Sequence, residues 1–274
     1  MLLLYSLRQP VEKSESPAMP DTDAPETKHM TIGEHLEELR KRILYAVAGL
    51  VAAMVASLAL GRWTLHLLQH PFEVVMREYG MDERLAVLST TAGIGVYFQV
   101  TLIAGAILAS PWIFYQLWQF VSAGLYPRER RYVTAAVPAS VGLFVAGAAF
   151  YLFVMAVPML RFLIGFGNWL EVKPIVTLEE HIHQMTMMML VCGLSFQMPL
   201  VVLILAKMGL VTLAMLNHFR RHVIVLILIV AGIATPSPSP LDQIVLAVPM
   251  WLLYELGVLL VYLLVTRKQR SPAD

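Results

Sequence analysis

The chain has 274 residues, 58% of them hydrophobic and 14% charged, with a formal net charge of +1. Soluble domains carry about 25% charged residues, so this composition, with a mean hydropathy of +0.69, excludes an ordinary soluble protein and places the chain in the membrane class. The near-zero net charge indicates no class of partner, and a single cysteine, Cys192, excludes an intramolecular disulfide.

The first ten residues, MLLLYSLRQP, hold an apolar run too short for a secretory signal, and no small-residue cleavage site follows. Residues 9–30 are rich in Pro, Ser, Asp, Glu and Thr and predict disorder. Met30 is an alternative start, so residues 1–30 are expected to be an extension outside the fold. Thr31-x-x-Glu34 fits a capping box, and a helix starting there runs through HLEELRKR at 35–42 into the first apolar span, Ile43–Leu60. Glu38 lies five residues, about 7.5 Å, before that span, at headgroup depth. Glu37/Lys41 and Glu38/Arg42 have the i,i+4 spacing of self-paired charges. A carboxylate kept at the interface also offers a site for a cationic ligand, and spacing leaves both readings open.

A helix needs about 20 apolar residues to cross about 30 Å of hydrocarbon. The further spans are Ile94–Trp118, Val133–Val157, Met185–Ala206, a twelve-residue run Val223–Ala234, and Leu241–Val265. The fifth would span only about 18 Å, which predicts an N-terminal extension through Asn217–His222 in the headgroup zone and local thinning of the bilayer. Of the 20 Lys and Arg, 15 fall before span one, in the second and fourth loops and in the tail; five fall in the first, third and fifth loops. The positive-inside rule then puts both termini in the cytoplasm, and an even number of spans likewise requires both on one side. The domain reading is a six-helix unit over 31–265 and a cytoplasmic tail over 266–274. The first outer loop, 61–93, includes a candidate helix started by Pro71; the second, 158–184, predicts a short amphipathic cap. PSPSP at 236–240 is a stiff hairpin, because proline fixes φ. No internal repeat of the kind common in secondary carriers is visible.

Other residues carry chemical possibilities. Glu129, in YPRERR, falls in the first turn expected for span three, where it complements the helix dipole or offers a second acid to a ligand. Glu255 lies inside span six, and an intramembrane carboxylate is either a functional group or a structural acid bonded to a neighbouring helix. In EEHIH at 179–183, His181 and His183 are two apart and face different ways on a helix, so an amphipathic start to span four outweighs a metal site. MTMMML at 185–190 predicts adaptable packing against lipid or a partner helix. Pro111, Pro138, Pro199 and Pro249 fall inside spans and predict kinks.

HLEELRKR, LYPRERR, SFQMP in span four and TPSPSPLDQ occur in the order they have in the TatC family, the polytopic core of the twin-arginine protein translocase, and the chain resembles that family from about Thr31 to Val265. The resemblance implies an all-α membrane fold of six transmembrane helices in a concave, cup-shaped bundle with short fifth and sixth spans, lying in the cytoplasmic (inner) membrane. It implies a receptor for signal peptides of folded precursor proteins, driven by the proton-motive force, and no covalent chemistry, cofactor or metal. Implied partners are twin-arginine signal peptides, TatA- and TatB-type single-span proteins, further copies of the chain in a multimeric receptor and the lipid bilayer, with no nucleic acid. Residue by residue, Glu38 and Glu129 match the family's arginine-holding glutamates. Arg40 and Arg42 match its basic positions, and Phe120, Leu125 and Tyr126 its loop positions. Pro71 matches an outer-loop proline. The chain departs from the family at Ala123, where a proline is usual, and at Gln197, where some members carry glutamate. It departs again at Ser239, where aspartate is common; Asp242 lies three residues later. Gln197 and Glu255 are candidate polar or partner-docking groups within the membrane. The rival readings are a secondary carrier for a small molecule or ion, which predicts paired charges at mid-membrane and a repeat, and an intramembrane hydrolase, which predicts a catalytic set at lipid depth.

Overall fold

The fold was read from a computed structural model that describes residues 32–123, 130–172, 175–234 and 240–266. Among them, six helical stretches are long and apolar enough to cross a membrane. The first is α1 (Ile32–Ser57), which passes through a 3-10 turn at Leu58–Leu60 into α2 (Gly61–Glu78). The second is α3 (Ala92–Ala123). The third joins α4 (Arg130–Phe150) to α5 (Ala156–Trp169) through a π turn at Tyr151–Met155. The fourth is α6 (Leu178–Ser195) followed by α7 (Met198–Lys207). The fifth is α8 (Leu213–Ala234), and the sixth is α9 (Pro240–Val261), which ends in a π turn at Tyr262–Thr266.

Four sequence readings are refined. The first outer loop is not mostly loop: α1 continues as α2, whose buried residues Leu68, Phe72, Val75 and Met76 recur at helical spacing and cover one face. Pro71 therefore does not start a helix; it lies buried in the middle of α2. The third span continues as α5, longer than the short cap expected of that region. Span four is two helices, because the ladder slips just before Pro199, at the start of α7: Gln197 N turns to Leu194 O, three residues back. Proline there lacks an N–H that a first turn leaves unpaired anyway. The twelve-residue apolar run of span five is the end of a 22-residue helix that already includes Arg220 and Arg221. At 22 residues, about 33 Å long, α8 and α9 are shorter than the other span-forming stretches yet long enough to cross.

Helix ends follow local chemistry. Thr177 is the N-cap of α6: its Oγ1 accepts from Glu180 N (3.2 Å) and donates to Glu180 Oε2 (2.9 Å). The capping box expected at Thr31 lies outside the described residues. Gly80 and Gly209, at φ +65° and +74°, close α2 and α7 in the left-handed region. The segment between α2 and α3 is fastened to the start of α6 by Ala86 N→Val176 O (3.2 Å) and Leu178 N→Ala86 O (2.9 Å).

The helices meet closely where side chains are small. A Cβ on Gly105 of α3 would sit 2.8 Å from Met54 Cα and 2.9 Å from Met54 N of α1. Beside that crossing, Ser57 Oγ reaches Thr101 O at 2.7 Å, both residues fully buried. In lipid, close backbone approach of this kind replaces the hydrophobic drive that joins helices in water. The packing α1 makes is mainly with α3, and the rest of its apolar surface is open.

The core has three parts. A large cluster gathers α2, the start of α3, the α4–α5 junction, α6, the end of α8 and the start of α9; it includes Phe72, Val100, Tyr151, Met185, Ile227 and Met250. At the other end of the bundle, Phe114, Trp118, Ala136, Phe144 and Ile204 join α3, α4 and α7. Ala206, Leu216, Tyr254, Val258 and Val261 join α7, α8 and α9 separately. Met185, Met188 and Met189 of the methionine run are buried within this chain's own core, not against lipid. Cys192 is buried, as its apolar surroundings predict.

Candidate functional site

The charged start of α1 leans on the last turns of α3. The i,i+4 spacing places Glu37 beside Lys41 (3.0 Å) and Glu38 beside Arg42. The two pairs differ in what surrounds them. Lys41 and Glu37 are exposed, whereas the side chains of Arg42 and Glu38 are only 26% and 23% accessible, and an ion pair partly removed from water is less screened than one on the surface. Arg42 Nε donates to Glu38 Oε1 at 2.6 Å, and Arg42 Nη1 donates to Gln116 Oε1 at 3.0 Å. Gln116 is 2% accessible, held inside α3. One turn further, the His35 ring stacks on Phe120 at a centroid distance of 4.5 Å and an interplanar angle of 25°. Trp112 Nε1 donates to Tyr45 O at 2.8 Å. The structure thus brings together Glu38, Arg42 and Phe120 of the expected site. Arg40 is exposed on the same helix. Leu125, Tyr126 and Glu129 lie outside the described residues. The spacing argument had left self-pairing and ligand binding open; self-pairing is present.

Behind this rim, Trp118 Nε1 donates to Ser140 Oγ (2.8 Å), which ties α3 to α4. Gln197, at the break in span four, donates from Nε2 to Ser140 O at 2.9 Å. Glu255 Oε2 meets Arg220 Nη2 at 2.9 Å, so the intramembrane acid of α9 is bonded to α8, the structural alternative weighed for it. Of the hairpin residues, Ser239 is outside the described residues, and Asp242 falls in the first turn of α9. His181 and His183 diverge: His181 Nε2 donates to Leu68 O (3.0 Å), whereas His183 Nδ1 accepts from Gln99 Nε2 (2.9 Å). Among the described residues no group of three metal-ligating side chains converges.

Sequence reasoning missed Gln116 and Gln243. Gln116 is 74 residues from Arg42, and its only signal is one amide inside the aromatic run WIFYQLW. Gln243 Nε2 donates to Leu228 O at 2.5 Å across the α8–α9 seam; in the sequence it is the last residue of TPSPSPLDQ.

Six apolar helical stretches among the described residues, with a charged helix start braced by a second helix, define a multi-pass membrane protein. The family model described as "Sec-independent protein translocase protein (TatC)" matches residues 34–249, and the chain belongs to the TatC family. It is 32% identical over 244 residues to the Sec-independent protein translocase protein TatC of Koribacter versatilis (strain Ellin345), covering 89% of each chain. It is 31% identical over 246 residues to TatCy of Bacillus subtilis (strain 168), covering 89% of this chain and 93% of that one. A crystal structure of the twin arginine translocase receptor TatC superposes with a TM-score of 0.75 at 30% identity, covering 84% of this chain and 99% of that one. The chain is a translocase component, a transporter and not an enzyme.

Proposed function

We propose that the Glu38 end of the bundle is the cytoplasmic docking site for twin-arginine signal peptides, and that the chain is the receptor and assembly core of the translocase that exports folded precursors. One observation carries this reading: Glu38 already holds a guanidinium, that of Arg42, at 2.6 Å in a partly desolvated notch, one turn from the His35–Phe120 stack. A guanidinium from a peptide is the same chemical group, and a carboxylate away from bulk water binds it more strongly than one in the open. Two adjacent arginines of an extended peptide point to opposite sides. Glu38 takes one, and Glu129, the residue before the start of α4, takes the other. Phe120, Leu125 and Tyr126 pack around the peptide, while Arg42 orients Glu38 and Arg40 adds a base to the same helix start.

The charge count over the loops supports a cytoplasmic location for both termini in the inner membrane. Energy comes from the proton-motive force. The single-span TatA- and TatB-type partners dock on α8, whose apolar surface is mostly uncovered by its own chain, and near Gln197; further copies of the chain complete a multimeric receptor.

The test is binding of a labelled twin-arginine peptide to the purified protein, with site-specific photo-crosslinkers at positions 38 and 129. Glu38→Gln and Glu129→Gln, which keep shape and remove charge, each weaken binding by about tenfold or more, the effect of losing one charge-assisted hydrogen bond. Replacing both arginines of the peptide by lysine does the same. Binding unaltered by the double Gln substitution, or crosslinks absent from both positions, overturns the reading.

A further inference from the structure

We infer that the end of the bundle opposite Glu38 holds one aminophospholipid, with its ammonium group at Glu179, its phosphate at His183, and an acyl chain in the trough between α3 and α6. Two hollows meet there. The first is a cavity of about 620 Å³ between Val87 and Leu88 of the segment after α2 and Glu179 and His183 of α6. The second is a narrower trough of about 130 Å³ walled by Leu102, Ala106, Met187 and Leu190. Gln99 and His183 line both, so the two adjoin at that hydrogen-bonded pair. Polar groups and a carboxylate line one end and hydrocarbon lines the other, the order of a phospholipid's own parts.

The polar boundary is built. Gln99 Nε2 donates to His183 Nδ1 (2.9 Å) and Thr186 Oγ1 (3.0 Å). With Nδ1 accepting from Gln99, Nε2 is the ring nitrogen left to donate, and His183 is exposed. Glu179 is four residues earlier on the same helix, hence on the same face as His183, and its side chain is exposed. One face therefore offers a donor for a phosphate and a carboxylate for an ammonium.

The surroundings select the occupant. Leu88 is 80% accessible, and Trp169 and Ile175 are 75% and 78% accessible at this end of the molecule. Aromatic and apolar side chains left open at the end of a spanning bundle belong to the headgroup zone. At that depth lipid is the most concentrated molecule, and the trough is open to the hydrocarbon beside it. The carboxylates of Glu179 and Glu180 disfavour an anionic headgroup and favour phosphatidylethanolamine. None of this depends on the signal-peptide site at the other end.

The experiment is native mass spectrometry of the detergent-purified full chain with phosphatidylethanolamine and phosphatidylglycerol of identical acyl chains. The expected result is retained phosphatidylethanolamine in preference to phosphatidylglycerol. Glu179→Gln lowers that preference by about threefold, as befits an exposed charge pair; Ala106→Phe, which fills the trough, reduces retention of both lipids. A photo-crosslinker at position 102, in membranes, labels lipid. Equal retention of the two lipids, a preference unmoved by Glu179→Gln, or a protein adduct in place of lipid at position 102 overturns the assignment.

Discussion

The crossing of α1 over α3 makes a sharp prediction through Gly105→Ala. In a helix interior the change itself is favourable by about 1 kcal/mol. Here the new Cβ would lie 2.8 Å from Met54 Cα, against an ordinary carbon contact of about 3.7 Å. α1 must therefore retreat by about 0.9 Å. The obstacle is backbone, so trimming Met54 to Ala brings no relief. Overpacking costs about 1–3 kcal/mol, and the buried Ser57–Thr101 hydrogen bond adds about 1 kcal/mol when it breaks. The net loss is about 1–3 kcal/mol, a melting temperature lower by roughly 2–10 °C. If the displacement carries along α1, the 3.0 Å Arg42–Gln116 bond opens to about 3.9 Å, beyond hydrogen-bond range, and Glu38 loses its brace. Gly142→Ala is the control: nothing lies within 4 Å of its would-be Cβ, so it is neutral or stabilising. The assay is thermal denaturation in detergent alongside twin-arginine peptide binding. If Gly105→Ala melts at or above the parent and binds peptide equally well, the seam does not govern α1.

Ser140→Ala leaves the buried Trp118 indole N–H without its partner and destabilises by about 1–3 kcal/mol, readable in the same thermal assay. Arg220→Gln and Glu255→Gln each strand a charge within a span and lower the yield of folded protein; the double substitution recovers much of the loss, because removing both members of a pair leaves no uncompensated charge. In the loop after α2, the bidentate contact of Arg77 (2.9 Å to each oxygen) holds the Glu83 carboxyl below its ordinary value of 4.5. A lowered folded value means the pair steadies the loop at neutral pH and ceases to do so as pH falls through that lowered value. Amide exchange between Met81 and Thr90 is therefore flat from pH 7 to 5, after correction for intrinsic rates, and gains protection-loss only in stronger acid; in Glu83→Gln the loss is present at all pH values.

Hydropathy made the six spans legible because a helix in hydrocarbon must be apolar nearly all round. The same criterion left α2 and α5 as outer loops, with a candidate helix from Pro71 expected in the one and a short amphipathic cap in the other. Histidines, Glu73 and Arg77 dilute α2, yet Leu68, Phe72, Val75 and Met76 stand at i, i+4, i+7 and i+8 and mark a helix by periodicity. The break in span four was also readable, since Pro199 has no N–H to donate to the carbonyl of Ser195, four residues back. At the site, the Glu38–Arg42 contact follows from spacing along one helix. The Gln116 brace and the His35–Phe120 stack do not, because each joins residues whose proximity is created only when α1 lies along α3.

The division of the core has a mechanical corollary. At the end away from Glu38 every span contributes to one shared interior, so relative movement there must disturb many contacts at once. At the Glu38 end the interior forks into two prongs with α7 as their common root. Changing the gap between the prongs disturbs little on either side, which makes the molecule stiff at its base and compliant at its mouth, like a tuning fork. A wedge entering between the prongs therefore meets little resistance, while the base keeps the prongs in register.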